Sequence, residues 1–232
     1  MSVERRAGVH AALGEPARLA IVDRLVPGDA SPSELAAALG VASNLLAHHL
    51  RVLEQAGLVR RVRSEGDQRR WYVQLVLDDP MVAAAVAPGQ RVAPLIPQRV
   101  VFVCTHNSAR SQLAAASWRR VSRVPAESAG TDPAVRVHPG AVAAGRRHGL
   151  RLGRARTAHV DDVLAGGDLV VAVCDNAHEE LAVDTARLHW SVPDPVRVGT
   201  AAAFDAAYDE ISRRVGLLAA DPSQMRASRS RS

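Results

Sequence analysis

Residues 99–116 read RVVFVCTHNSARSQLAAA, and the second half of the chain is understood outward from them. Val100 to Val103 form a continuous apolar run of the kind that makes a strand buried on both faces of a parallel sheet. The run ends on Cys104, seven small or polar residues follow, and a helical pattern starts near Arg110. A helix starting there points its N-terminus back at the loop. The loop's successive amides can then wrap an oxyanion, with the helix end and the fork of Arg110 adding positive charge. Such a field favours a thiolate over a thiol.

The spacing Cys-x5-Arg therefore sets a nucleophile, Cys104, beneath a tetrahedral oxyanion and a guanidinium beside it. Thr105, His106, Asn107, Ser108, Ala109, Arg110 and Ser111 are the expected oxyanion-binding residues. Ser111 can donate to the thiolate, and Asn107 can hold the loop's unusual backbone. A strand-end cysteine by itself would be inert packing. Strand, Cys-x5-Arg-Ser and helix in that order argue for chemistry. Downstream, LHWSVPDPV (188–196) holds Asp194 in an Asp-Pro pair on a loop stiffened by two prolines. A carboxyl over the anion site could protonate a leaving oxygen.

The 232 residues are long for one ordinary domain and fit two. Hydrophobic residues make up 47%, enough for packed cores, but aromatics are only 3%, so those cores must rest on Ala, Val and Leu. All 29 basic residues are arginine, which weakens any functional reading of arginine content as such. The net charge of +5 permits contact with a polyanion. Two cysteines and no secretory pattern argue against a disulfide scaffold, and no apolar stretch approaches a bilayer span. The expectation is a soluble, cytoplasmic protein with no membrane contact. No histidine or cysteine cluster has zinc-site spacing, so neither a metal nor a bound cofactor is expected.

Three textures divide the chain. Residues 1–77 alternate helical periodicity with polar breaks. Residues 78–98, with four prolines, read as a linker carrying one short helix near 81–86. Residues 99–220 alternate apolar runs with helices, and residues 221–232 read as a disordered tail. In the first part, EPARLAIVDRLV starts a helix with Leu19, Ile21, Val22 and Leu25 on its apolar face. SPSELAAALG follows, with Ser31 to cap, Pro32 in the first turn, Glu34 to close a capping box and Gly40 to stop it. After a tight turn, NLLAHHLRVLEQAGLV is a second amphipathic helix, and the pair forms a helix-turn-helix. VRRVRSEGDQRRWYVQLV then reads as an arginine-rich hairpin.

Through LGEPARLAIVDRL, SELAAALGV, HHLRVLEQAGLV and RRWYVQL, residues 8–75 resemble the winged helix-turn-helix of the ArsR family of bacterial repressors. The resemblance implies operator DNA as partner and a homodimer matched to a two-fold operator. It places Ser43, Asn44, His48, His49 and Arg51 against the groove and Arg69 and Arg70 against phosphates. Leu45 and Ala47 stand where family members often have hydroxyls. Metalloid-sensing members carry a cysteine pair on the helix that here reads SPSELAAALG, but this chain has no cysteine before Cys104.

Residues 98–218 resemble the low-molecular-weight tyrosine phosphatase fold, and within it the arsenate reductases. The matching pieces are VVFVCTHNSARSQLA, ESAGT, VHPGAVAAGRRHGL, DLVVAVCDNA and LHWSVPDPV. The expected fold class is thus two domains: a mainly α winged helix-turn-helix, then an α/β parallel-sheet low-molecular-weight phosphatase-like fold. Arsenate and phosphate are close in shape, so the loop alone does not choose between them. Gln112 in place of the phosphatases' proline, no aromatic after Asp194-Pro195, and Cys174 at a redox position favour the reductase.

In that reading Cys104 attacks arsenic, Asp194 assists loss of water, and a second thiol releases arsenite. The third cysteine of thioredoxin-coupled relatives is Leu181 here. The second thiol is therefore either Cys174 or an external reductant, mycothiol with mycoredoxin or thioredoxin. Two alternatives stand beside an arsenate reductase fused to a regulator. One is a regulator whose second domain senses an oxyanion without turnover; the other is a protein tyrosine phosphatase.

Overall fold

The computed structural model describes residues 2–86, 97–182 and 185–219. The tail expected at 221–232 and most of the linker's second half lie outside the described residues. The chain divides into two compact units, with the change-over at residues 87–88.

The first unit opens with helix α1 (Val3–Leu13), capped by Ser2, which the sequence reading did not anticipate. Helix α2 (Pro16–Leu25) starts at a proline, where no amide partner is lost, and the Glu15 side chain caps Arg18 N at 2.9 Å. Ile21, Val22 and Leu25 of α2 are buried. Helix α3 (Pro32–Leu39) has a complete capping box: Ser31 N donates to Glu34 Oε2 at 2.7 Å, and Glu34 N donates to Ser31 Oγ at 3.2 Å. It ends on Gly40 at φ 64°, a left-handed stop that suits glycine.

Helix α4 (Ser43–Gln55) buries Leu46, His49, Leu50 and Leu53, the i, i+3, i+4, i+7 stripe of an amphipathic helix. Strands β1 (Val59–Arg63) and β2 (Trp71–Leu75) pair antiparallel with Val62 opposite Tyr72. Ala30 adds a short bridge to Val73 on the far side of β2. Helices α2 to α4 followed by the hairpin make a winged helix-turn-helix. Helix α5 (Pro80–Ala85), capped by Asp79, closes the unit.

The second unit is built on a parallel sheet. Strand β3 (Val100–Cys104) is buried along its whole length, flanked by β4 (Ala126–Gly130) on one side and β5 (Leu169–Ala172) on the other, with β6 (Arg187–His189) beyond β5. The helices are α6 (Arg110–Val121), α7 (Pro139–Arg147), α8 (Val160–Val163), α9 (Asp175–Glu180), α10 (Pro195–Val198) and α11 (Ala201–Ala219). The core is mainly Val, Leu and Ala around one aromatic group, in which the Phe102 ring lies 6.1 Å from Trp118 and 5.8 Å from Trp190. Arg99 and Asp168 join the starts of β3 and β5 through two hydrogen bonds, at 2.9 and 2.6 Å.

The chain runs from β3 to β4 on one side, then returns to β5 on the other. The order therefore reverses at the C-terminal end of β3, the crevice where open α/β sheets bind ligands. Cys104 occupies that end.

Candidate functional site

The loop between β3 and α6 is held from outside. Thr131, Asp132, Ala134 and His138, in the segment after β4, donate their amides to the carbonyls of Cys104, Thr105, His106 and Ser108 at 3.3, 2.9, 3.0 and 2.9 Å. Those four bonds fix the loop's backbone from the side of β4. Gly130 is the residue that lets β4 end so close: a Cβ there would lie 2.6 Å from the Thr105 carbonyl oxygen.

Asn107 takes the loop through φ 47°, among the described residues the one non-glycine at positive φ. Its side chain compensates. Asn107 Nδ2 donates to Ser111 Oγ at 2.8 Å, and Asn107 Oδ1 accepts from Gln112 Nε2 at 3.1 Å and from Ala158 N at 3.0 Å. Gln112 is buried and also donates to the Arg156 carbonyl at 2.8 Å. It therefore braces the loop.

Ser111 Oγ lies 3.1 Å from Cys104 Sγ. Arg110 is buried, donates to the Val192 carbonyl at 2.9 Å and approaches Asp194 Oδ2 at 3.3 Å. Burial works against the Arg110 charge, but the neighbouring acidic groups Cys174, Cys104 and Asp194 outweigh it and hold its pKa above the ordinary value. Asp194 also caps α10, with Oδ1 accepting from Val196 N at 2.9 Å. Cys104, Arg110 and Asp194, 90 residues apart in sequence at the extremes, thus converge on one crevice.

Of the remaining loop residues, Ser108 and Ala109 are buried. His106 is exposed at the rim, with its Nδ1 2.9 Å from the Asp132 carbonyl oxygen. Thr105 turns its hydroxyl to Cys174 Sγ at 3.6 Å. Cys174 is buried at the N-cap of α9, where its sulfur accepts from Ala177 N at 3.5 Å. Burial pushes the Cys174 thiol up to about 11, only partly offset by Arg110. Both cysteines are free thiols.

In the first unit, Ser43, Asn44, His48 and Arg51 lie on the exposed face of α4, and Arg69 and Arg70 are exposed on the approach to β2. His49 is not with them. It is buried on the core stripe, with Nδ1 3.6 Å from Glu15 Oε2, so it is withdrawn from the DNA-contact set. The stripe at 46, 49, 50 and 53 was the sequence signal that could have told it apart. The anchoring segment 131–138 was also missed, because backbone-to-backbone bonds leave no side-chain signature. Among the described residues no group of three or more His, Cys, Asp or Glu could hold a metal ion. No described helix is long and apolar enough to cross a membrane.

The family model of the low molecular weight phosphotyrosine protein phosphatases matches residues 99–229, more than half of the chain. The chain belongs to that family. A helix-turn-helix domain model matches residues 13–62, so the chain is a helix-turn-helix domain fused to a member of the phosphatase family. Solved structures with similarity to the family part include an arsenate reductase, a tyrosine phosphatase and a YwlE mutant. An arsenate reductase from Archaeoglobus fulgidus DSM 4304 is 30% identical, with 53% of this chain and 99% of that chain covered and a TM-score of 0.47. The tyrosine phosphatase Wzb from Escherichia coli K30 is 21% identical, covering 53% and 97% with a TM-score of 0.49. A YwlE mutant from Bacillus subtilis is 22% identical, covering 55% and 98% with a TM-score of 0.48. No curated protein matches the chain.

Proposed function

We propose that the second unit is a thiolate catalyst for a tetrahedral oxyanion, carried on the same chain as an operator-binding domain. The observation behind this reading is the constellation at the end of β3: Ser111 3.1 Å from the Cys104 sulfur, and Arg110 3.3 Å from Asp194. Cys104 attacks the central atom, the loop amides and Arg110 hold the equatorial oxygens, and Asp194 gives its proton to the departing oxygen. Ser43, Asn44, His48, Arg51, Arg69 and Arg70 are the proposed DNA contacts.

Membership of the phosphatase family favours phosphomonoester hydrolysis. There, the ester oxygen leaves protonated by Asp194, and water, deprotonated by the same carboxylate, then cleaves the sulfur–phosphorus bond and restores the thiolate.

A second reading, arsenate reduction, is favoured by the aromatics. In the second unit Phe102, Trp118, Trp190, Phe204 and Tyr208 are all buried, and Val196 follows the Asp194-Pro195 pair, so no Phe, Tyr or Trp of that unit stands ready to clamp an aryl substrate. A small inorganic oxyanion needs no clamp. Cys104 then displaces water from arsenate, and a second thiol attacks the Cys104 sulfur. The bonding pair stays on arsenic, which leaves as arsenite, and the two sulfurs share a disulfide that a further thiol reduces. A Cys174 thiol pushed up to about 11 is a poor attacking group at neutral pH, which favours an external thiol.

The test is one preparation assayed for p-nitrophenyl phosphate hydrolysis, and for arsenite from arsenate with mycothiol plus mycoredoxin or with thioredoxin plus its reductase. Cys104→Ser is the control. Phosphate release alone selects the phosphatase, and arsenite formation selects the reductase. Oxyanion binding with neither product would leave a sensing domain and overturn the catalytic reading.

A further inference from the structure

Helix α4 buries Leu46, Leu50 and Leu53 but leaves Leu45 46% exposed; among the described residues it is the leucine left open. Ala47 is exposed beside it, amid Asn44, His48 and Arg51. A single exposed leucine is ordinary on a protein surface; what sets Leu45 apart is the charge around it, which says what would cover it. The exposed face of α4 carries no carboxylate. The helix's single acidic residue, Glu54, lies in its last turn and pairs with Arg61 at 2.6 Å.

The neighbouring hairpin exposes Arg60, Arg61, Arg63, Arg69 and Arg70, with the Arg63 guanidinium 4.9 Å above the Trp71 ring. A second copy on this face would set Arg51 and the hairpin arginines against their own like charges, because a two-fold contact meets itself. A partner that is anionic overall yet offers discrete apolar groups meets both needs. The major groove of DNA is such a surface: its phosphates are anionic and its thymines present C5-methyl groups. Leu45 is the third residue of α4, at the helix end that reaches base edges in helix-turn-helix proteins.

We propose that Leu45, with Ala47 beside it, packs against thymine methyl groups in the major groove and is a specificity-determining residue for operator choice. This rests on reading the first unit as a DNA-binding domain.

The experiment uses the full chain and a random-sequence duplex pool. Wild type, Leu45→Ala and Leu45→Asn are each taken through rounds of binding, and the retained sequences are read. Circular dichroism verifies that the exposed substitutions leave the fold intact. Wild type should enrich a site with a fixed thymine in each half. Remaking that site with deoxyuridine at the fixed position, which removes only the methyl, should weaken wild type roughly four-fold per methyl lost and leave Leu45→Ala unchanged. An equal deoxyuridine penalty in both proteins, or no fixed thymine, overturns the assignment while leaving DNA binding intact. No enriched sequence at all overturns the DNA-binding reading, and this inference with it. An unchanged site together with a lower solution mass for Leu45→Ala would assign the face to self-association instead.

Discussion

The Arg110 guanidinium lies 3.3 Å from the Asp194 carboxylate, and one residue on, the Ser111 hydroxyl lies 3.1 Å from the Cys104 sulfur. One fork thus touches the group assigned to the departing oxygen while facing the place where negative charge gathers. Replacing Arg110 by Lys keeps the charge but loses the fork. We expect turnover, on whichever oxyanion is the substrate, to fall by about 10²–10³. Asp194→Asn should lose about 10²-fold on alkyl phosphates and less on p-nitrophenyl phosphate, whose leaving group needs little protonation. Steady-state kinetics with both esters verifies this, and equal losses would remove Asp194 from the acid role.

Asn107 separates backbone shape from hydrogen bonding. Asn107→Ala places an ordinary side chain at φ 47° and removes three hydrogen bonds. Asn107→Gly removes the same bonds but accepts the backbone angle. Both should lose turnover alike, while the glycine variant melts later by the value of the left-handed penalty, about 1 kcal/mol. Thermal unfolding beside kinetics reads the two effects apart.

Cys174 should be silent at neutral pH. With its thiol pushed up to about 11, roughly one part in ten thousand is thiolate at pH 7. Iodoacetamide footprinting by mass spectrometry should leave it unlabelled in the folded protein until the pH approaches that value. Cys174→Ser should keep any turnover driven by an external thiol. Loss of reduction in that variant would make Cys174 the second thiol after all.

Arg99 holds the Asp168 carboxyl below its ordinary pKa through two hydrogen bonds, against the opposing effect of burial. A lowered folded pKa means stability that is present above the unfolded value and lost as pH falls through the folded one. Asp168→Asn should cost about 1–2 kcal/mol at pH 7. The difference from wild type should shrink below about pH 4, as the wild-type carboxylate takes up its proton. Urea unfolding at pH 7 and pH 3 measures both.

Local chemistry made much of this molecule legible in sequence. The Ser31–Glu34 box and Gly40 stop are written in three residue types. The unbroken apolar run at 100–103 reads as a strand covered on both sides, and the structure makes it β3, buried along its length. What stayed hidden depended on long-range backbone geometry or on competing uses of one residue. Gln112 reads as a family marker, but in the fold it is a buried brace between Asn107 and the Arg156 carbonyl. His49 reads as a surface histidine in a polar stretch, but the helical period gives it to the core. Helix α1 carries too weak a pattern to stand out before its packing is seen.

The four carbonyls fastened to residues 131–138 have a consequence for selectivity. A cradle of main-chain amides responds to the net charge and tetrahedral outline of its guest and is blind to the central atom. On the proposed oxyanion-binding reading, phosphate and arsenate compete for it on nearly equal terms. The occupancy of the site at Cys104 would, on that reading, track the proportion of one oxyanion to the other in the surrounding solution.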